Sequence, residues 1–341
     1  MNAFVTQTKV KGTASPDVNN ITTGLLPNFL AVSGKTRQND LDVAFNISLQ
    51  PGAASTGTLQ LGTINQRQAF LTFGDASWGS IKLGKDLGIY ASDAILSDMT
   101  LLGVGAGGAT VGNTTLGRIG YGYQYADWKS QAAYSSPNFN GFSFTAGVTQ
   151  SWNATGPTTA PTLRGGDEPA FEAKASYAFA ADAVTGKVWA SGISQNLQLT
   201  STTNVTANAW DIGANVNAAG FGLTAYYGEG EGTGSLGQFS NGTDTSGNKR
   251  DNEDWYVQAT YVLPGVGTKL GASYGESTNK GSTTNAAAAA EARNEMWTFG
   301  AYHPLTKHLN LVAEYSEAKN VVTGSATTES NTISAGAILF F

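Results

Sequence analysis

The 341-residue chain has no cysteine and only two histidines. The lack of cysteine excludes a disulfide framework and any thiolate metal site. His303 and His308 flank the predicted short turn at residues 306–307, away from the long loop segments. Serine hydrolases and acid–histidine proteases need a histidine at the reacting site. We therefore expect that the protein is not an enzyme and that it carries no cofactor.

Charge is also scarce, at 13% of residues, about half the usual share of a soluble domain. The net charge of −6 and the absence of any run of Lys and Arg argue against binding to nucleic acid. No stretch approaches the ~18 consecutive apolar residues of a membrane-spanning helix. An aromatic content of 10% argues against an intrinsically disordered chain.

The dominant pattern of the sequence is alternation of apolar and polar residues with period two. Successive side chains of a strand point to opposite faces, so each alternating segment has one apolar and one mostly polar face. These segments are close to the ~9–11 residues of a tilted strand that crosses a bilayer, whereas strands of soluble sheets are nearer ~5–6 residues. The clearest examples are residues 41–49, 171–179, 255–263, 309–315 and 333–341.

Connections between these segments alternate between short turns and long loops, which is typical of an outer-membrane barrel. Long loops are predicted at residues such as 11–27, 51–65 and 229–250. We predict an all-β fold, a single transmembrane antiparallel β-barrel of residues 1–341 with about sixteen strands. A large soluble β-sandwich is the alternative, but it explains neither the long strands nor the apolar C-terminal segment. The predicted strands lie near residues 2–10, 28–37, 41–50, 66–74, 79–85, 129–137, 141–152, 170–180, 185–198, 206–217, 221–229, 253–263, 268–276, 294–304, 309–319 and 331–341.

Several local motifs resemble those of the general porins of Gram-negative outer membranes, a sixteen-stranded trimeric family. Residues 67–70 (RQAF) and 79–85 (GSIKLGK) look like that family's arginine-led fourth strand and its Gly-x-x-x-Leu-Gly-Arg fifth strand, with Lys85 in place of Arg. Residues 136–142 (SPNFNGF) look like its Ser-Pro-x-Phe-x-Gly-Phe turn, and the chain ends on an alternating apolar segment that stops at Phe341. The family's Gly-aromatic start of the first strand is missing.

The resemblance implies a homotrimer in the bacterial outer membrane, in contact with outer-membrane lipid and lipopolysaccharide and with small hydrophilic solutes and ions. No secretory signal peptide precedes the first predicted strand, so we expect the sequence to be that of the mature form. Family members fold their third long loop into the barrel and thereby narrow the pore. Residues 86–128 fit that constriction loop, although the tyrosine-rich part at 118–128 could be either loop or an extra pair of strands.

Charged residues suggest how such a pore would select solutes. A charge that faces lipid at mid-depth costs ~2–4 kcal/mol, so charges on the strands are expected to face the lumen. Leu30 and Val32 mark the lipid face of the second strand, so Lys35 and Arg37 are predicted to face the lumen. Ile81 and Leu83 place Lys82 there in the same way. Arg67 is assigned to the lumen by the resemblance alone. The predicted basic strip on the wall is Lys35, Arg37, Arg67 and Lys82. The predicted acidic residues of the loop opposite are Asp86, Asp93 and Asp98.

We expect a passive diffusion channel that filters by size and by the transverse field between these charges, with a preference for anions. A substrate-specific channel for small anionic carboxylates is the main alternative, in which Tyr121, Tyr123 and Tyr125 could form an aromatic slide. An adhesin barrel is a third option, which would need no constriction loop.

No metal site is expected, because the sequence leaves carboxylates as the main ligands. Asp251, Glu253 and Asp254 could hold a loop calcium ion, although a solvated acidic loop is the favoured interpretation.

Overall fold

The computed structural model describes residues 1–12, 17–53, 64–106, 110–111, 114–151, 168–198, 204–235, 241–244, 247–281 and 290–341. A short helix α1 (Ser92–Ser97) and a 3-10 helix (Met99–Leu102) follow the sixth strand. The strands are β1 (Asn2–Val10), β2 (Val18–Thr22), β3 (Leu30–Gln38), β4 (Leu41–Pro51), β5 (Ile64–Asp75), β6 (Gly79–Leu87), β7 (Thr110–Val111), β8 (Thr114–Thr115), β9 (Trp128–Ser135), β10 (Phe142–Thr149), β11 (Ala170–Ala181), β12 (Val184–Gln198), β13 (Asn204–Ala218), β14 (Phe221–Glu231), β15 (Asp251–Val262), β16 (Lys269–Asn279), β17 (Ala292–Pro304), β18 (Leu309–Val322) and β19 (Thr328–Leu339).

Seventeen strands form one antiparallel sheet, while β7 and β8 form a separate small hairpin. From β9 to β19 each strand pairs with the next, β19 pairs with β1, and β1 pairs with β2. In the other direction β9 pairs with β6, and β6, β5, β4 and β3 pair in turn. Within the described ranges β2 pairs only with β1 and β3 only with β4, so the described ladders do not join the two edges.

All sixteen predicted strands are present, with ends within three residues of the prediction. The sheet nevertheless has one strand more than predicted, because β2 lies within residues 11–27, which the sequence assigns to a loop. Its sequence, VNNIT, spaces its two apolar residues three apart, and therefore lacks the period-two pattern that identified the other strands.

The antiparallel pairings determine the direction of each strand. Because β1 is antiparallel to β2, and because the ladders from β1 through β19 to β3 alternate in direction, β2 and β3 run the same way. The connections at one end of the sheet, which we call the turn end, have two to six residues each; residues 39–40 and 182–183 form two of them. Connections at the opposite end, the loop end, have five to forty residues.

The two faces of the sheet have opposite character. On β13, Ile212 is 52% exposed while the neighbouring Asp211 is 1% exposed. The outer face carries the other exposed apolar side chains, among them Val5, Phe171, Leu223, Val257 and Ile333. An apolar surface of this extent is unfavourable in water but suits the hydrocarbon of a bilayer. In the part of the chain described, no helix is long and apolar enough to span a membrane.

The inner face packs against residues 88–127, which we call the inner loop. Its apolar residues form buried clusters with strand residues: Tyr90 packs with Ile193 and Leu197, and Ile95 packs in a cluster that includes Trp189. The predicted constriction segment 86–128 thus includes residues of the flanking strands, because Asp86 and Leu87 belong to β6 and Trp128 begins β9.

Placing a charge on the outer face tests the membrane assignment of that face. We expect Ile212→Lys to lower the free energy of unfolding from lipid vesicles by ~2–4 kcal/mol, because the ammonium group would face hydrocarbon. Urea titration of the vesicle-embedded protein measures this. The matched control is Leu305→Lys, in the turn between β17 and β18, where the leucine is 53% exposed. Equal losses for the two variants would contradict the assignment.

Candidate functional site

The inner loop is closed at its base by a backbone hydrogen bond. The Gly88 N–H donates to the Asp127 carbonyl oxygen at 2.6 Å, joining the end of β6 to the start of β9. From this base the loop crosses the inner face towards β18 and then returns. Side chains of the strands hold it at successive points.

The first anchor is Glu172 on β11. Its Oε2 accepts hydrogen bonds from the N–H groups of Ile89 and Tyr90, each at 2.8 Å. Its Oε1 accepts from the Thr149 hydroxyl and pairs with the Lys129 ammonium. The carboxylate is fully buried, and its charge is balanced by that lysine. Such charge-assisted hydrogen bonds are stronger than neutral ones, so Glu172 holds the start of the loop firmly.

The middle of the loop is held by β15. The Tyr256 hydroxyl donates to the Ala94 carbonyl oxygen at 3.0 Å, at α1. Gln258 then accepts from the Met99 N–H at 2.7 Å and donates to the Ser97 carbonyl oxygen at 3.2 Å. These bonds satisfy backbone groups at the junction of α1 and the 3-10 helix that would otherwise be unpaired inside the protein.

The far anchor is Glu314 on β18. Its Oε2 accepts from the N–H groups of Val104 and Gly105, at 2.7 and 2.9 Å, and its Oε1 accepts from the Tyr302 hydroxyl at 2.6 Å. The carboxylate lies so close to Gly103 that a Cβ atom there would be 2.0 Å from Oε1. A side chain at this position would displace the carboxylate, so glycine allows the close approach.

The part of the inner loop that runs back towards β9 is held by a buried arginine. Arg118 donates to the carbonyl oxygen of Met296 at 2.9 Å and to the Ser273 hydroxyl, and its Nε lies 3.9 Å from Asp98 Oδ1. Asp98 also accepts from the Tyr123 hydroxyl at 2.9 Å. Burial lowers the pKa of Arg118, and the Asp98 carboxylate acts in the opposite direction. This group links both passes of the loop to the sheet.

The turn-end side of α1 carries an uneven set of charges. Asp93 on α1 pairs with two lysines of the inner face, Lys187 on β12 and Lys174 on β11, the latter at 3.3 Å. Both lysines retain partial exposure, with side-chain values of 39% and 26%, whereas Asp93 is buried. On β6, Lys82 pairs with Asp86. These three lysines therefore share two carboxylates.

Two cavities lie on the side of the sheet formed by β3–β6. The turn-end cavity, of about 780 Å³, is lined by Lys35, Arg37, Asp42 and Asp75 among others. The loop-end cavity, of about 800 Å³, lies between the inner loop, residues 25–29 and the loop ends of β5 and β6. The inner loop is thus packed on the β11–β18 side and leaves space on the β3–β6 side.

The family model described as Gram-negative porin matches residues 3–323. The chain belongs to the Gram-negative porin family. The protein is accordingly an outer-membrane channel and not an enzyme. In outer-membrane barrels the short turns are periplasmic and the long loops extracellular.

Solved structures of similar fold cover nearly the whole porin. The outer membrane channel DcaP of Acinetobacter baumannii is 17% identical, with a TM-score of 0.73, 99% of this chain and 96% of that chain covered. The anion-selective porin from Comamonas acidovorans is 14% identical, with a TM-score of 0.66 and coverages of 99% and 98%. OmpT of Vibrio cholerae, in its trimer form, is 14% identical, with a TM-score of 0.59 and coverages of 99% and 97%. No curated protein sequence matches significantly.

The three predicted acidic residues have different environments in the porin. Asp93 lies on the inner loop between two lysines, as described. Asp86 belongs to β6 and pairs with Lys82, a member of the predicted basic strip, on the same strand. Asp98 has no exposed side-chain surface and binds Arg118 and Tyr123, so it faces no passage. The prediction that all three stand opposite a basic wall does not describe this arrangement.

The predicted basic residues also do not form one strip. Lys35 and Lys82 share a register row, through Ala44 and Thr72. Arg37 lies at the turn end, bound to Asp42 at 2.7 Å and Asp75 at 2.8 Å. Arg67 lies at the loop end of β5, about 17 Å along the strand from Thr72 in that row.

The side chain of Arg67 does not point to the face that its position on β5 indicates. By register it shares the parity of Ala69 and Leu71, whose partners on β4 include the exposed Phe45. Its guanidinium nevertheless lies 5.7 Å from the Trp128 ring centroid and lines the loop-end cavity. The end of the strand thus directs it towards the inner loop.

The three residues named above as possible calcium ligands are separated by the fold. On β15, alternation places Asp254 on the inner face, buried, and Asp251 and Glu253 on the other face, so the three carboxylates do not share a site. Among the described residues no group of three or more potential ligands is arranged for a metal ion.

Residues 116–127 are loop and not an extra strand pair. Within them Tyr123 is buried, whereas Tyr125 lines the loop-end cavity.

Four functional residues were absent from the predicted site: Glu172, Lys174, Lys187 and Glu314. Glu172, Lys174 and Glu314 lie at polar positions of strongly alternating segments, so the period alone places them on the inner face. Nothing in the pattern indicates their partners, because those lie about 80 to 210 residues away in sequence. Arg118 has no comparable sequence signal.

The half-buried Asp127 at the base of the loop predicts a pH effect on stability. Burial raises the pKa of its carboxyl to about 6, against the opposing effects of the Trp128 N–H and nearby cations. Because this value exceeds the ordinary one of 3.8, the folded chain binds the proton more tightly than the unfolded chain does. The ionised group therefore destabilises the fold above pH 6, and this effect disappears as the pH falls towards 4.

We expect Asp127→Asn to raise the free energy of unfolding at pH 8 by up to about 3 kcal/mol and to have almost no effect at pH 4. Denaturant titrations of both proteins at several pH values measure the difference. Asp182→Asn is the matched control, since Asp182 has a similar φ of 50° against 53° but is exposed. A stabilisation that does not vary with pH would contradict the assignment.

Proposed function

We propose that this porin is a passive diffusion channel for ions and small hydrophilic solutes, built as a single closed barrel of residues 1–341. Since β2 and β3 run in the same direction without an intervening reversal, they count as two parts of one descending strand. That reduces the seventeen strands of the sheet to sixteen. An even number returns both chain ends to the periplasmic rim, where β1 pairs with β19.

The inner loop is the size filter of this channel. Its anchors on β11, β15 and β18 hold it against one side of the wall at Ile89, Met99 and Val104. The free cross-section is then limited to the space between the loop and strands β3–β6, where both cavities lie. A loop fixed by buried charge-assisted bonds keeps that cross-section constant.

The charge filter favours anions. The single observation that carries this is the pairing of one carboxylate, Asp93, with two partly exposed lysines, Lys174 and Lys187. Lys82 and Lys35 add positive charge on the same face, and Asp86 offsets one of them. A narrow passage in a low-dielectric wall focuses such an excess and raises the local concentration of counter-ions. The similar Comamonas structure is described as an anion-selective porin, which agrees with this proposal.

The assembly is a homotrimer whose outer face contacts outer-membrane lipid and lipopolysaccharide. The exposed apolar side chains of that face are suited to lipid contact. A similar structure, OmpT of Vibrio cholerae, is described in a trimer form.

Single-channel recording in a planar bilayer under a KCl gradient tests the proposal. We expect current steps in groups of three and a reversal potential of the sign that indicates anion preference. Absence of conductance from correctly folded protein would contradict the channel function, and a reversal potential of opposite sign would contradict the anion preference alone.

Removing the two lysines beside Asp93 tests the charge filter. We expect the double variant Lys174→Gln, Lys187→Gln to lower the chloride-to-potassium permeability ratio by roughly threefold to tenfold, because Asp93 is then left without its partners. Reversal potentials measure the ratio. Lys280→Gln is the control, since Lys280 follows β16 at the extracellular end and its ammonium lies 3.9 Å from Glu253. An unchanged ratio in the double variant would place the selective charges elsewhere.

A further inference from the structure

The loop-end cavity combines features that a simple hydrophilic pore does not need. Its volume of about 800 Å³ lies within the range of ~300–1,000 Å³ typical of small-molecule sites. Its apolar lining includes Leu96, Leu101 and Leu116 of the inner loop and Phe29. Arg67 and Lys85 also line it.

Leu96 shows that the apolar lining is open. Its neighbours on α1, Ala94 and Ile95, are buried, whereas Leu96 is 57% exposed. More than half of the Leu96 surface is therefore not packed against the protein. Leu96 offers an apolar surface to a molecule in the cavity.

The cationic residues are held in place by their own contacts. Arg67 stacks over Trp128 at 5.7 Å, and the Lys85 ammonium donates to the Gln66 carbonyl oxygen at 2.9 Å. Asp127 lines the same cavity, so two cations stand with one carboxyl group. Because the pKa of Asp127 is raised to about 6, the positive excess increases further in mildly acidic medium.

We propose that this cavity is a binding station for amphipathic monocarboxylates, in which an aromatic or short alkyl group packs on Leu96, Leu101 and Leu116 while the carboxylate pairs with Arg67 and Lys85. A small hydrophilic anion would gain nothing from the leucines, and a neutral apolar molecule would gain nothing from the cations. The inference rests on the proposed function, since such a ligand reaches the cavity as a permeating solute.

Binding of phenylacetate to the folded porin in lipid nanodiscs tests this. Equilibrium dialysis, with empty nanodiscs subtracted, gives its dissociation constant. Acetate keeps the charge without the ring, and 2-phenylethanol keeps the ring without the charge. We expect each of them to bind about tenfold more weakly than phenylacetate. If phenylacetate bound no more tightly than acetate, the proposal would be overturned.

Two variants with matched controls locate the site. We expect Arg67→Gln and Leu96→Asn each to weaken phenylacetate binding about fivefold to tenfold. Lys280→Gln removes a surface cation outside the cavity, and Leu305→Asn changes an equally exposed leucine at the periplasmic turn. Both controls should bind as the parent does. If a control variant weakened phenylacetate binding as much as the matching cavity variant, the effect would not be local to the cavity.

Conductance measured on the same preparations separates this inference from the proposed function. A protein that conducts KCl but shows no preference for phenylacetate is a channel without the binding station. A protein that binds phenylacetate with the expected variant pattern but does not conduct has the station, and then the diffusion function is wrong.

Discussion

The bilayer imposes the constraint on which the rest of this structure depends. Hydrocarbon offers no hydrogen-bond partner to a backbone group and no solvation to a charge. The backbone of the wall is therefore paired strand to strand, and the outer face is apolar. Polar and charged side chains are left with one place, the inner face, so the protein is apolar outside and charged inside.

The crowding of polar groups on that inner face explains how the loop is built. A buried carboxylate needs several donors, and a loop packed inside a protein needs acceptors for its N–H groups. Glu172 and Glu314 meet both needs at once, because each accepts two consecutive backbone N–H groups of the inner loop. The loop thus satisfies the charges of the wall, and the wall determines the path of the loop.

The same arrangement separates structural charges from those available to solutes. Asp98, Arg118, Glu172 and Glu314 are fully enclosed and act in folding. Lys174 and Lys187 beside Asp93 are partly exposed, and this group of three carries a net charge of one positive unit. A net charge of −6 for the whole chain therefore says little about the passage, since many of its carboxylates are used to hold the loop or lie in other parts of the chain.

The sequence by itself determined the strands and their faces, because alternation is local: Ile212 and Asp211 are neighbours, and the pleat sends them to opposite sides. Only β2, which lacks the alternation, was missed within the sheet. The tertiary structure alone decided which charges meet. Asp93 and Lys187 are 94 residues apart, and Glu314 is 210 residues from Val104. No period relates such residues, because their approach depends on where the folded sheet places each strand and on how a glycine-rich loop crosses it.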